Sequence, residues 1–235
     1  MADPVSLSLH DVHGFYGESH VLHGLSLDVV RGEAVSIIGR NGAGKTTMMR
    51  AIMGLLERRS GSIIVKGVET IVAAPERIAR LGVGYVPEDR GIYSSLDVTE
   101  NLLLPPRVGD DCMSLVDIYR LFPNLEERRR SQGTRLSGGE QQMLAIARVL
   151  RTGADLFLLD EPTEGLAPVI VQRICAAIVG MKEKGHTIVL VEQNVDVAAH
   201  IADRHYIMEH GRIIDLITRS ELDARSDRLK SALGI

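Results

Sequence analysis

A glycine-rich segment carries the first chemistry that the sequence suggests, Gly39-Arg40-Asn41-Gly42-Ala43-Gly44-Lys45-Thr46. It follows an apolar run ending at Ile38 and opens a helical segment, as phosphate-binding loops do. Glycines let backbone N–H groups surround a β-phosphate, and the helix N-terminus favours anions. We expect Lys45 to reach the β- and γ-phosphates and Thr46 to give a hydroxyl to Mg²⁺. The alternative is a glycine-rich strand-to-helix turn without a ligand. Because the motif has the strand and the helix that it requires on its two sides, we predict a nucleoside triphosphate site.

Two adjacent acids, Asp160 and Glu161, end the apolar run Leu156–Leu159. Neighbouring strand residues point to opposite faces, so the two carboxylates are predicted to have different roles. Asp160 is placed to hold Mg²⁺ through a bound water. Glu161 is then free to orient or deprotonate an attacking water. The alternative is a pair of solvated acids at a strand end.

A serine and a glutamate three residues apart begin a third segment of interest, Ser137-Gly138-Gly139-Glu140. This spacing predicts a capping box at the start of a helix. Two glycines there would leave backbone N–H groups uncovered, which makes a second anion site. A well-capped helix without a ligand remains the alternative.

Two kinds of strand are predicted to position these segments. Alternating or β-branched apolar residues predict an antiparallel β-layer from residues 5–12, 21–29 and 62–65. Continuously apolar runs predict strands buried on both faces of a parallel sheet at residues 34–38, 156–159 and 187–191. Helices are predicted at residues 46–56, 113–122, 138–150 and 168–184.

Composition excludes several classes of protein. The chain has 235 residues, 45% of them hydrophobic, and a formal net charge of −4 with scattered basic residues, which disfavours a nucleic-acid partner. Cys112 and Cys175 lack metal or disulfide spacing. Charges interrupt every apolar stretch before the roughly 18 residues that cross a bilayer, and Met1–Pro4 does not resemble a secretory signal. We therefore expect a cytoplasmic location.

The order of the three segments resembles that of the ABC ATPases, whose hallmark is an LSGGQ-type segment between the phosphate loop and the acidic strand end; here it reads LSGGEQQ, followed by LLDEP. The resemblance implies an α/β fold, with a P-loop (RecA-like) core, an antiparallel β-layer and an inserted helical subdomain. It implies one ABC ATPase domain over residues 1–235, with the core at 1–88 and 155–235 and the helical lobe at 89–154.

The same resemblance implies ATP and Mg²⁺ as cofactors and a head-to-tail dimer that encloses each ATP between two chains. One chain would supply the phosphate loop, including Thr47, and the other would supply Ser137 to Glu140. Tyr16 matches the aromatic residue that stacks on adenine in this family, although a lone tyrosine between strands is more often a packing residue.

Three positions depart from the common family pattern. Glu88 replaces a glutamine that contacts Mg²⁺ or the water; it is a candidate metal ligand, with an ion pair to Arg90 as the equal alternative. Gln193 replaces a histidine, and a glutamine amide can donate to phosphate but cannot titrate. Ala167 replaces an aspartate, so contacts across the dimer there must differ.

The combination of VPEDR, LDEPTEGLAP and VEQN resembles the ATPase subunits of branched-chain amino acid importers, whose relatives also carry urea and short amides. This implies transmembrane permease subunits, a second ABC ATPase subunit of the same or a related chain, and an external solute-binding protein. The chain would be peripheral on the inner face of the cell membrane, with permease contacts around Asp89 to Leu96. The alternatives are a urea or amide importer, a soluble non-transport ABC ATPase, or a nucleotide-binding scaffold without turnover.

Four histidines near the start, His10, His13, His20 and His23, are spaced three apart in two pairs. In strands this spacing places side chains on opposite faces. We therefore expect ordinary surface or core histidines and no metal site.

Overall fold

The computed structural model describes residues 4–221. Expectations about Met1 to Asp3 and about residues 222–235 lie outside the described residues. The strands are β1 (Val5–Tyr16), β2 (Ser19–Val30), β3 (Ala34–Ile38), β4 (Arg58–Val65), β5 (Val68–Glu69), β6 (Val83–Val86), β7 (Leu156–Asp160), β8 (Thr187–Glu192), β9 (Arg204–Glu209) and β10 (Arg212–Thr218). The helices are α1 (Lys45–Ile52), α2 (Pro75–Arg80), α3 (Val98–Leu103), α4 (Leu115–Leu121), α5 (Pro123–Glu127), α6 (Gly138–Leu150), α7 (Pro168–Glu183) and α8 (Val195–Ile201).

The predicted antiparallel layer is confirmed as a four-stranded sheet in the order β2-β1-β4-β5. Alternate residues of β1 and β2 are buried, including Leu7, Leu9 and Leu25. This alternation is why these segments form a sheet with one covered face.

The predicted parallel sheet is also confirmed, with the order β10-β9-β3-β8-β7-β6. Strands β3, β7 and β8 are buried along their whole length. Pairing of Ile38 with Glu192 and of Asp160 with Val191 brings the ends of these strands to the same edge of the sheet. This is the edge at which open α/β sheets bind their ligands.

Two apolar cores lie on opposite faces of the parallel sheet. Leu156 and Leu158 of β7 pack with the β-layer and α1, whereas Phe157 and Leu159 pack with α6 and α7. The helices α3 to α6 fall within residues 89–154, and Phe122 from this region shares the second core. The boundary of a separate helical lobe at 89 and 154 stays a prediction.

The turn between β9 and β10 joins the β-layer to the phosphate loop. Gly211 accepts a hydrogen bond from the backbone N–H of His23 (3.0 Å) and donates its own N–H to the carbonyl of Ala43 (2.8 Å). Its φ is +73°, and a Cβ there would lie 1.9 Å from the carbonyl oxygen of Val21. Only glycine fits this turn without moving the backbone.

The expectation that His20 and His23 point to opposite faces is wrong. Gly14 pairs with Leu22 but Phe15 pairs with His20, so Val21 is an extra residue in β2. A β-bulge of this kind shifts the alternation by one residue. The two rings consequently lie together, with centroids 4.1 Å apart.

Within residues 4–221, no helix combines the length and the apolar character needed to cross a bilayer.

Candidate functional site

The phosphate-loop segment lies between β3 and α1, as the sequence predicts. Gly42 and Gly44 have φ of +79° and +106°, values that favour glycine over other residues. A Cβ on Gly39 would lie 2.4 Å from the carbonyl oxygen of Met208. The N–H of Ala43 bonds to the carbonyl of Arg40 at 3.1 Å, which closes the turn.

The ammonium group of Lys45 is the buried positive charge of this loop. Its Nζ donates to the carbonyl oxygens of Gly39 (2.8 Å) and Arg40 (3.2 Å). It also lies 3.2 Å from Oε1 of Glu161, and both side chains are less than a tenth exposed. Polar partners on several sides stabilise the charge in this buried position. The two residues predicted to act on the phosphate and on the water are thus in direct contact.

Asp160 faces the hydroxyl of Thr46 across the sheet edge. Oγ1 of Thr46 donates to Asp160 Oδ1 at 3.2 Å, and the Tyr85 hydroxyl donates to Oδ2 at 3.3 Å. Burial, with repulsion from Glu161 and Glu88, raises the pKa of Asp160 to about 6 despite these hydrogen bonds. Thr46 and Asp160 both offer oxygen atoms as ligands, and burial makes the charged form of Asp160 unfavourable unless a positive ion lies beside it. The pair therefore fits a hard cation such as Mg²⁺.

Glu161 is held by the backbone and by two side chains. Its φ of +48° is uncommon for a residue other than glycine, and its N–H bonds to the carbonyl of Val191 at 3.0 Å. The amide of Gln193 donates to Glu161 Oε2 at 2.8 Å. Burial opposes ionisation, but a hydrogen bond from Glu164 and the charge of Lys45 lower the pKa of Glu161 overall. The carboxylate is therefore ionised and oriented at neutral pH.

Glu164 forms a hydrogen bond with Glu161, and of the two carboxyl groups it is the one that is protonated more easily. The hydrogen bond between the two carboxyl groups, together with burial and repulsion, raises the pKa of Glu164 to about 7. The carboxylate oxygens of Glu88, Glu161 and Glu164 lie within 4.8 Å of one another. Glu88 thus joins an acidic group next to Lys45, and its role as a metal ligand stays a prediction.

The alternative role for Glu88, an ion pair with Arg90, is not found among the described residues. Nη1 of Arg90 instead donates to Oε1 of Gln141 at 3.1 Å. Arg90 has a φ of +65°, and its guanidinium group lies beside Gly138 at the start of α6.

A cavity of about 400 Å³ lies over the phosphate loop. Tyr16, 43% exposed, stands on its wall, and its hydroxyl accepts a hydrogen bond from Arg50 at 3.4 Å. The lining residues are Tyr16, Val21, Asn41, Gly42, Gly44, Lys45, Thr46, Thr47, Glu88, Glu161 and Glu164. The structure therefore brings Tyr16, part of the phosphate loop and Glu161 to one cavity. Gln193 does not line it; it lines a neighbouring cavity that shares Glu161 and Glu164.

The capping box at Ser137 is confirmed. Glu140 donates its N–H to the Ser137 hydroxyl (3.3 Å), and Ser137 donates its N–H to Glu140 Oε2 (2.8 Å). In the part of the chain that the structure describes, Ser137, Gly138, Gly139 and Glu140 do not line the cavity over the phosphate loop. A single chain therefore does not bring the two predicted anion sites together.

Three residues of this region were missed by the sequence prediction. Val21 and Glu164 line the cavity, and Tyr85 contacts Asp160. Glu164 had a detectable signal, since it lies three residues beyond Glu161 in a loop. Val21 had none, because its position depends on the β-bulge.

Comparisons of this chain with a family model and with known proteins point to the same family. A family model described as "ABC transporter" matches residues 22–164. The high-affinity branched-chain amino acid transport ATP-binding protein BraG of Pseudomonas aeruginosa is 43% identical over 88% of this chain and 91% of that protein. A probable branched-chain amino acid transport ATP-binding protein, LivF of Archaeoglobus fulgidus, is 33% identical over 94% and 95%.

Solved structures agree with this assignment. The structure of an ATP-binding subunit of an ABC transporter is 29% identical, covers 97% of this chain and 99% of that chain, and superposes with a TM-score of 0.81. Two relatives at 36% and 32% identity have names that state export.

Proposed function

The chain belongs to the ABC transporter family and hydrolyses ATP, and we propose that it energises an importer of branched-chain amino acids or related small polar solutes. The observation that carries the proposal is the 43% identity to BraG over nine-tenths of both chains. The import direction and the solute rest on this similarity.

ATP binding is assigned to one face of the cavity. Tyr16 stacks on the adenine ring, residues 39–44 present N–H groups to the phosphates, and Lys45 contacts the β- and γ-phosphates, while Thr47 lines the wall. To do so, Lys45 exchanges its carbonyl partners for phosphate oxygens. That exchange is favourable because a charged partner makes a stronger hydrogen bond than a neutral carbonyl.

Hydrolysis is assigned to the pair Glu161 and Gln193. Glu161 accepts a hydrogen bond from the attacking water and orients it toward the γ-phosphate. Gln193 keeps the carboxylate in position through the 2.8 Å hydrogen bond, and its amide can also donate to the phosphate. When phosphate attracts Lys45, Glu161 loses its closest positive partner and becomes a better base.

Mg²⁺ would be held by Thr46 and by Asp160 through water, with Glu88 as a further candidate at the edge of the site. The ion would neutralise charge that develops on the β- and γ-phosphate oxygens. The hydrogen bond from Thr46 to Asp160 already sets the two oxygen donors side by side.

A second ATPase chain completes each site. Ser137 to Glu140 lie away from the cavity of their own chain, so we assign them to the ATP of a head-to-tail partner. Closure of the two chains around ATP, and reopening after hydrolysis, would drive the permease subunits between access states. The chain then works at the cytoplasmic face of the membrane, with a solute-binding protein acting through the permease from outside.

An uptake assay tests the proposal. In cells that lack this chain but produce its permease, the wild type should restore uptake of labelled leucine, and Glu161→Gln should not, although it still sediments with the membrane. His10→Asn, on an exposed position of β1, serves as the matched control and should restore uptake. Restoration of urea or acetamide uptake without leucine uptake would instead support the amide importer. ATPase activity with no membrane sedimentation would favour a soluble non-transport ATPase.

A further inference from the structure

One buried arginine of α6 holds the loop that follows β6. Arg148 is 8% exposed, and its Nη1 and Nη2 donate to the backbone carbonyls of Gly91 (2.7 Å) and Arg90 (3.3 Å). Its guanidinium carbon also lies 5.4 Å from the centroid of the Tyr93 ring, within the range of a cation–π interaction. Because a buried charge is costly without hydrogen bonds, these contacts fix the side chain and the loop to each other.

The same helix holds the loop at a second point. Gln141 lies about two turns before Arg148 on the same face of α6, and its Oε1 accepts a hydrogen bond from Nη1 of Arg90 at 3.1 Å. Nε2 of Gln141 donates to the carbonyls of Gly133 (3.1 Å) and Leu136 (3.4 Å), which fixes the amide in turn. The loop is therefore attached to α6 through its backbone and through one side chain.

The backbone of this loop needs such support. Arg90 and Gly91 are two successive residues with positive φ, +65° and +55°, a conformation that is uncommon for a residue with a side chain. The N–H of Arg90 donates to the carbonyl of Pro87 at 2.9 Å and closes a turn that contains Glu88. A strained turn persists where surrounding contacts hold it, and Arg148 binds both carbonyls of the strained residues.

The position of Glu88 depends on that backbone. Its exposed side chain lines the cavity over the phosphate loop, and one of its carboxylate oxygens lies within 4.8 Å of one from each of Glu161 and Glu164. Within residues 4–221, no hydrogen bond or ion pair holds the Glu88 side chain. The loop backbone is therefore what keeps this carboxylate at the cavity.

We propose that Arg148 is a positioning residue for ATP hydrolysis, which holds residues 87–91 so that the carboxylate of Glu88 stays at the cavity over the phosphate loop. A carboxylate there can accept a hydrogen bond from a water on Mg²⁺ or from the attacking water. A misplacement of about 1 Å can lower a rate by up to about 100-fold. The inference rests on the place that the proposed function gives Glu88 beside the phosphates, but not on the solute or the direction of transport.

Steady-state ATPase assays of the full-length chain test this role. Arg148→Met keeps most of the side-chain bulk but removes the donors, so it should lower kcat roughly tenfold with little change in the affinity for a fluorescent ATP analogue. Arg148→Lys keeps the charge but not the planar fork of donors, and it should recover part of kcat. Thermal unfolding of the nucleotide-free protein checks that each variant folds.

Arg151 provides a matched control at the same end of α6. Its Nε and Nη1 donate to the carbonyls of Leu102 (3.3 Å) and Met113 (3.2 Å), which, among the described residues, are not part of the cavity lining. Arg151→Met removes the same kind of contact without affecting the loop of Glu88, so it should lower thermal stability and leave kcat unchanged. An equal loss of kcat in Arg151→Met and Arg148→Met would indicate a general effect of lost contacts and would contradict the proposal.

A double-mutant cycle with Glu88→Ala decides whether Arg148 acts through this carboxylate. In the Glu88→Ala background, Arg148→Met should change kcat by less than about twofold, because the group that it positions is already absent. An equal loss in both backgrounds, or a wild-type kcat in Arg148→Met, would overturn the proposal. If Arg148→Met does not fold, Arg148→Lys takes its place in the cycle and the same two outcomes decide. Since leucine uptake is not measured, a failed uptake assay would count against the proposed function and leave this result unchanged.

Discussion

At the scale of single residues, the carboxylate of Glu161 depends on a neighbour that does not titrate. The amide of Gln193 donates to Glu161 Oε2 at 2.8 Å, and Lys45 holds Oε1. An amide keeps the same hydrogen-bonding groups across the working pH range. The orientation of Glu161 is thus independent of any proton at position 193.

Replacement of Gln193 tests this dependence. We expect Gln193→Ala to lower kcat roughly tenfold with little change in the affinity for ATP, because a lost positioning contact affects the reacting geometry more than binding. Gln193→His should recover part of kcat and add a pH dependence between about pH 6 and 7. Steady-state ATPase assays from pH 5.5 to 8.5 measure both effects. A Gln193→His variant whose pH–rate profile equals that of the wild type would argue against any role of this residue.

A buried acid at the end of the neighbouring strand β8, Glu192, should affect stability rather than catalysis. Glu192 accepts a hydrogen bond from Thr163 Oγ1 at 2.7 Å, and burial raises its pKa to about 7. The unfolded chain has the ordinary value of about 4.3, so the folded chain binds more protons between pH 4.3 and 7. Stability from this group is present at low pH and is lost as the pH rises through that interval.

Glu192→Gln should remove that loss. The free energy of unfolding of the variant should exceed that of the wild type by about 3 to 4 kcal/mol at pH 8. The advantage should disappear near pH 4.5, where both proteins carry a neutral group. Urea unfolding of nucleotide-free protein at the two pH values provides the measurement, and an equal difference at both would contradict the assignment.

At the scale of elements, α3 carries the residue that fixes the loop before it. Asn101 is fully buried; its Nδ2 donates to the carbonyls of Tyr93, Leu96 and Asp97, and its Oδ1 accepts from the N–H of Tyr93. This loop overlaps the segment around Asp89 to Leu96 that we propose to contact the permease. The side chain thus connects the proposed contact surface to the helical region.

Asn101→Leu should destabilise the protein by about 3 kcal/mol, since several buried backbone groups lose their partner. Asn124→Leu is the matched control, because among the described residues no hydrogen bond reaches the buried amide of Asn124. That variant should change stability by less than about 1 kcal/mol. Thermal or urea unfolding compares the two, and similar losses would refute the explanation.

Elements with a strong residue pattern were predictable, and those that depend on distant contacts were not. The buried runs at β3, β7 and β8 and the helix α6 follow from apolar periodicity and from the capping pair Ser137 and Glu140. The bulge at Val21 has no local signal, because it arises from pairing between two strands. The positive φ of Glu161 likewise depends on a hydrogen bond to Val191 in another strand.

At the scale of the whole molecule, the cavity lies at one edge of the sheet and Ser137 lies outside it. Two chains are then needed for each complete site in the proposed dimer. A two-fold arrangement makes this testable, because each site would take its two halves from different chains.

Mixing two inactive variants should restore activity. Lys45→Ala removes the phosphate contact, and Gly138→Asp adds a negative charge at the predicted second anion site. In an equal mixture, half of the dimers are mixed and each has one intact site, so roughly a quarter of wild-type sites should work. ATPase assays of the variants alone and mixed provide the comparison. If mixing restores nothing although the mixed dimer forms, each chain does not complete the site of the other.

The turn at Gly211 has a consequence for protein engineering. It supports the carbonyl of Ala43 from a point 168 positions later in the sequence, beyond all the residues that line the cavity. A minimal fragment that stops after Gln193 would retain those residues but lose the hydrogen bond from Gly211 that supports the phosphate loop. Split reporters or circular permutants of this chain should therefore be cut outside β9 and β10, so that the turn between these strands and the phosphate loop remain in the same fragment.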